Sequence, residues 1–117
     1  MLTFGGGRVF VVVGPTDMRK SFNGLSGIVR ERLGGDPMSR DLFLFCNRAR
    51  NRLKVLVYDE AGAWVLARRL DRGTFAWPSG SEDGVQVEYR SEQLALLLSG
   101  FDTDGLRPRR WRRRKAG

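Results

Sequence analysis

Two hydrophobic rhythms alternate along this chain. VFVVV, from Val9 to Val13, is β-branched and aromatic and does not alternate, which predicts a strand buried on both faces. Gly14-Pro15 ends it. The period then changes. Met18, Phe22, Leu25, Val29 and Leu33 recur at spacings of three and four, one stripe of a helix with Ile28 beside it. Thr16 or Asp17 is placed to cap its first turn, and Gly34-Gly35 to end it. Gly24 and Gly27 inside the stripe cost about 1 kcal/mol each relative to alanine and are expected to allow close packing against a sheet. Arg19, Lys20, Asn23, Arg30 and Arg32 lie mostly off the stripe.

A strand rhythm returns after the turn DPMSRD. LFLFC (Leu42 to Cys46), RLKVLVY (Arg52 to Tyr58) and AWVLARRL (Ala63 to Leu70) read as strands, joined by NRARN and DEAG. VQVEY alternates, with Val85, Val87 and Tyr89 on one face. Ser91 caps a short helix that Leu94, Leu97 and Leu98 would dock. The fold class expected is α+β: a single small domain over residues 1–106, an antiparallel sheet of four to five strands in a meander, and two helices. Residues 107–117 are expected to form a disordered basic tail.

Composition adds little until charge is considered. A chain of 117 residues with 41% hydrophobic residues supports one modest core. Cys46 stands alone, so no intrachain disulfide forms, as suits a reducing cytosol. No apolar run is long enough for a bilayer, and the N-terminus lacks a basic region ahead of its apolar run. A cytoplasmic protein without a membrane partner is expected. The formal charge is +8, and RPRRWRRRK at the C-terminus holds seven cations and no acid, leaving 14 cations against 13 acids in residues 1–106. An arm of that kind repels itself, buries little and suits a polyanion such as nucleic acid. Its cations are Arg107, Arg109, Arg110, Arg112, Arg113, Arg114 and Lys115. The bland alternative is a solubilising tail.

Catalytic chemistry is thin. Histidine is absent, which removes the commonest general base and metal ligand. Asp59 and Glu60 are neighbours in a turn and point apart, so they read as turn punctuation. Cys46 reads as a small buried hydrophobe. Asp17, Asp41, Asp59 and Glu88 have no spacing that gathers them around an ion. GPTDMRK joins a strand to a helix and offers backbone amides beside Arg19 and Lys20, but Asp17 opposes a phosphate there, and capping is the plainer reading. The hairpin is richer. Arg48, Arg50, Arg52 and Lys54 are spaced by two, opposite Leu53, Val55 and Val57, and Arg68, Arg69 and Arg72 follow in the next strand and its end. A sheet with one apolar and one cationic face can lie along a phosphate backbone; otherwise it is a solvated face with weak ion pairs. Trp64, Phe75 and Trp77 are expected to fill the core rather than stack on bases, and Trp111 lies among the arginines of the arm.

Three stretches together carry a resemblance: GPTDMRKSFNGLSGIV, DLFLFCNRARNRLKVLVYDEAGAWVLARRLDRGTFAWP and VEYRSEQLALLLSGFD. Over about residues 8–103 the chain resembles the small accessory protein called TnpB of IS-66 class bacterial insertion sequences. The RNA-guided nuclease of the same name is much longer and has a carboxylate triad not found here. The resemblance implies a role in transposition beside a separate, larger transposase that performs strand transfer. It brings no catalytic residues and no cofactor. Its matching polar positions are Asp17, Arg19, Lys20, Asn47, Arg48, Arg52, Lys54, Asp59, Arg69 and Trp77, taken as interaction candidates. Relatives usually have a glycine at Arg50 and one at Ser21, so the hairpin turn type is open. The expected partners are element-end DNA and the cognate transposase. An adaptor that binds only the transposase, or a small metal-dependent nuclease, are the alternatives. The oligomeric state is left open.

Overall fold

The β-branched run that opens the domain becomes a central strand. In the computed structural model, which describes residues 7–79 and 86–99 and the backbone of 101–102 and 107–108, β1 (Val9–Pro15) lies between β2 (Leu42–Cys46) and β5 (Gln86–Tyr89). β3 (Arg52–Tyr58) and β4 (Ala63–Arg69) complete a five-stranded sheet of order β4-β3-β2-β1-β5. The α+β class and the β2-β3-β4 meander are as the sequence predicts. The wholly antiparallel sheet is not: β1 pairs with β2 in parallel, Val9 beside Leu42 and Val11 beside Leu44. The cause is the helix between them. α1 (Phe22–Glu31) crosses over the sheet and returns the chain to the end where β1 began, which a hairpin turn cannot do. β5 is antiparallel to β1, with Val9 beside Tyr89.

Both faces of this sheet are apolar, which corrects the expectation of one apolar and one cationic face. Val12, Phe43, Phe45 and Leu56 point to the side covered by Leu25 and Val29 of α1. Val11, Leu44, Cys46, Leu53 and Val55 point to the other, which Phe75 and Leu97 of α2 (Ser91–Ser99) cover. A strand covered on both sides needs an almost continuous apolar run, as Val9 to Val13 and Leu42 to Cys46 supply. Among the described residues no helix is long and apolar enough to cross a membrane.

Local chemistry also departs from expectation at α1. The helix starts at Phe22, and Ser21 at its N-cap makes no side-chain capping bond. Asp17 is turned away from the capping role by Arg19: its carboxylate accepts the Arg19 amide at 2.9 Å and the guanidinium at 2.7 Å. These bonds hold the Asp17 carboxyl well below the usual carboxylate range, and the same carboxylate raises Arg19. The helix ends at Glu31, with Arg32 as its C-cap, earlier than Gly34-Gly35; Gly34, at φ 67, reverses the chain beyond it, where the Gly35 amide donates to the Val29 carbonyl. Gly24 faces not the sheet but the Lys20 side chain, which an added Cβ would meet at 3.1 Å.

Of the aromatics, Phe75 is buried and Trp77 packs against the core with its indole N–H donating to the Val12 carbonyl at 2.8 Å. Trp64 does not enter the core. It is 46% exposed on β4, and its Nε1 donates to Asp59 Oδ2 at 2.9 Å. The reason is position: β4 is the outermost strand of the sheet. After α2, β6 (Phe101–Asp102) pairs with β7 (Arg107–Pro108). The first two residues of the expected basic tail are therefore in a short strand, and the rest of that tail, 109–117, lies outside the described residues.

Candidate nucleic-acid interface

Asn47 organises the basic hairpin. Its Oδ1 accepts the amides of Asn51 and Arg52, both at 3.1 Å, and its Nδ2 donates to Asn51 Oδ1 at 2.8 Å. Closing the loop this tightly drives Arg50 to φ 63, a left-handed conformation that a side chain resists and glycine does not. The Arg50 amide donates to the Asn47 carbonyl, and its own carbonyl accepts the Phe75 amide at 2.7 Å, tying the loop to the chain beyond β4. The Arg50 side chain turns inward toward Cys46, and its Nη1 is buried without a hydrogen-bond partner. Cys46 itself is fully buried, and burial pushes its thiol up to about 11. It is an inert core residue, as expected.

The phase of the β3–β4 ladder decides which cations meet. The Asp59 amide donates to Gly62 at one end, and the Leu70 amide donates to Asn51 at the other. Rungs between them alternate, so Arg52 and Arg69 face each other across a rung without hydrogen bonds, where Cα atoms approach to about 4.5 Å. Both side chains lie on the α1 side of the sheet. Lys54 lies two residues along the same side, opposite Ala67. Its ammonium donates to the Lys20 carbonyl at 2.8 Å, which draws the β1–α1 connection up to the hairpin. The result is an open cleft of about 450 Å³ with Met18 and Leu53 as apolar lining, Arg52, Lys54, Arg68 and Arg69 as cations, and Asp71 as the acid among them.

The structure thus divides the cations that the sequence grouped by alternation. Arg52, Lys54, Arg68 and Arg69 come together. Arg68 emerges on the α2 side, opposite Leu53, so it reaches the cleft around the sheet edge. Lys20 is exposed beside them and Arg48 is exposed in the loop. Among the described residues Lys20, Arg48, Arg52 and Arg68 have no ion pair, whereas Arg69 touches Asp71 at 3.6 Å with both groups exposed. Arg19 is occupied by Asp17, and Arg50 is turned to the interior. Of the arm, Arg107 is in β7, and Arg109, Arg110, Arg112, Arg113, Arg114 and Lys115 lie outside the described residues.

Several polar positions picked out by the resemblance hold the fold. Asn47 closes the hairpin, Trp77 reaches Val12, and Asp59 builds its turn by accepting the Ala61 and Gly62 amides. The Trp64 indole and those amides hold the Asp59 carboxyl below its usual range. Among the described residues no three Asp, Glu, Cys or His side chains gather as a metal site. The Arg52–Arg69 rung was missed from the sequence, because only the strand register sets those two residues opposite each other.

A family model described as IS66 Orf2 like protein matches residues 7–108. The chain belongs to this IS66 Orf2-like family. The match spans every element described above, from β1 to β7. The uncharacterized protein y4hO of Sinorhizobium fredii is 41% identical over 95 residues, 81% of this chain and 81% of that protein. The uncharacterized protein y4jC of the same organism is 30% identical over 95 residues, 81% of this chain and 80% of its own. No solved structure matches. Family membership ties the chain to insertion sequences and transposition.

Proposed function

We propose that this IS66 Orf2-like protein is a non-catalytic accessory factor of transposition that binds element DNA through phosphate contacts and helps a separate transposase assemble there. The observation that carries this reading is the Arg52–Arg69 rung. Like charges directly opposite destabilise a sheet, so two arginines stacked there beside Lys54 and Arg68 point to a function that needs them. Phosphate oxygens fit such a cluster because guanidinium groups bind them in a bidentate manner. The arginine-rich arm adds long-range, sequence-independent attraction. Chemistry at the strands belongs to the transposase in this reading.

The test is a salt-titrated binding assay on the full chain, comparing element-end DNA with random DNA, with and without the transposase. Binding should weaken steeply with salt. The Arg52→Ala/Arg69→Ala variant should lose affinity and lower the log–log salt slope by up to about 2. Unchanged affinity and slope would remove the hairpin from the DNA interface. Transposase capture that is independent of DNA, with no salt-sensitive DNA binding, would favour the adaptor reading. Cleavage of DNA by the purified protein with magnesium or manganese would end the non-catalytic reading.

A further inference from the structure

β4 is an edge strand whose outer side is unpaired among the described residues. The ladder phase fixed above shows what that side presents. Gly62, Trp64, Leu66, Arg68 and Leu70 share hydrogen-bonded rungs with β3, so the amides and carbonyls of Ala63, Val65, Ala67 and Arg69 point outward. Natural sheet edges are commonly blunted by proline, a bulge or a charge in mid-strand. This one has none of these from Ala63 to Ala67, and the β3–β4 register runs unbroken across all seven rungs.

We propose that β4 is a homodimer interface, with the β4 strands of two copies pairing antiparallel about a two-fold axis through Leu66. This inference goes beyond the DNA-binding reading and does not depend on it. The strand is complementary to itself in this register. Ala63 meets the partner's Arg69 and Val65 meets the partner's Ala67, which satisfies the outward amides of all four residues. Leu66 meets the partner's Leu66. Trp64 meets the partner's Arg68 on a rung without hydrogen bonds, where side chains approach most closely and a guanidinium can lie over the indole. Trp64 keeps its hydrogen bond to Asp59 in that arrangement, because the ring face is what Arg68 would use.

Charge selects this occupant. β4 begins beside the acids Asp59 and Glu60, the latter ion-paired with Arg40 at 3.0 Å, and ends in Arg68, Arg69 and Arg72 with Asp71 among them, so its far end is net positive. Antiparallel pairing brings the acidic end of one copy to the basic end of the other, and no arginine faces an arginine. Extending the register sets Glu60 opposite the partner's Arg72. A parallel arrangement would stack like charge on like charge at both ends.

Sedimentation of the full chain tests the proposal. The expected mass is twice the 13.2 kDa of one chain. Ala67→Pro removes an outward amide that does not bond to β3, so it should leave the fold and yield a single-chain mass. Two cysteine variants read the register without relying on that one. Leu66→Cys should oxidise to a covalent dimer, since the two sulfurs meet on the axis at a distance a disulfide accepts. Val65→Cys should not, because its partner is the other copy's Ala67. A wild-type chain that stays monomeric at its highest soluble concentration overturns the proposal and leaves the edge to an extended acidic segment of another protein. A dimer in which Val65→Cys cross-links and Leu66→Cys does not overturns the register.

Discussion

Arg52 and Arg69 face each other at the open end of the β3–β4 hairpin, two cations on one side of the sheet with Asp71 the acid beside them. Such a pair weakens the fold that contains it. Replacing Arg69 with alanine should therefore leave stability unchanged or raise it by a few tenths of a kcal/mol, while DNA affinity falls. Thermal unfolding and fluorescence anisotropy on the same samples check both halves. A variant that loses stability and affinity together would show that the rung serves folding.

Arg50 offers a second test, of strain. It holds φ 63 and buries Nη1 without a partner. Arg50→Gly relieves a left-handed conformation worth about 1 kcal/mol and removes the unpartnered group. The midpoint of thermal unfolding should rise by about 4 °C. A fall would mean that the contact between the Arg50 side chain and Cys46 outweighs the backbone strain.

Cys46 gives a readout of core integrity. Its thiol is buried and pushed up to about 11, so little thiolate forms at neutral pH. A thiol reagent should label the native chain only at the rate of unfolding, and the denatured chain at once. Rapid labelling of the folded protein would show that β2 opens locally.

Acid should act through the turn at Asp59. Its folded carboxyl lies below the ordinary value of 3.8 because Trp64 and two backbone amides bond to the ionised form. A depressed pKa contributes stability that is present above 3.8 and is lost as pH falls through the folded value. Asp59→Asn should unfold at lower temperature than wild type at neutral pH, and the gap should narrow below pH 3.8. A gap that does not change with pH would assign the loss to the turn geometry instead of the charge.

The strands were legible because their apolar runs are short and bounded by turn residues. LFLFC, RLKVLVY and AWVLARR reappear as β2, β3 and β4 with almost the boundaries read from sequence. The pairing of β1 with β2 was not legible. An apolar run buried on both faces has the same composition in either orientation, and only the crossover of α1 makes the pair parallel. The cationic cluster was half legible. Alternation put Arg48, Arg50, Arg52 and Lys54 on one side, but a left-handed residue in the loop turned Arg50 inward, and hydrogen-bond phase brought Arg69 to Arg52 from another strand. Asp17 shows a third limit: a helix-capping residue type was taken by an arginine two positions away.

The central place of β1 has a consequence for how the chain assembles. Val9 must find Leu42 on one side and Tyr89 on the other, whereas β2, β3 and β4 join through short connections. Local closures are entropically cheaper, so the three-stranded meander is the part of the sheet that costs least to close, and it leaves one rim for β1. That strand then becomes the template on which β5 settles. β1 is therefore the keystone, and an error in seating it leaves the β2-β3-β4 meander and the single strand β5 with no edge in common.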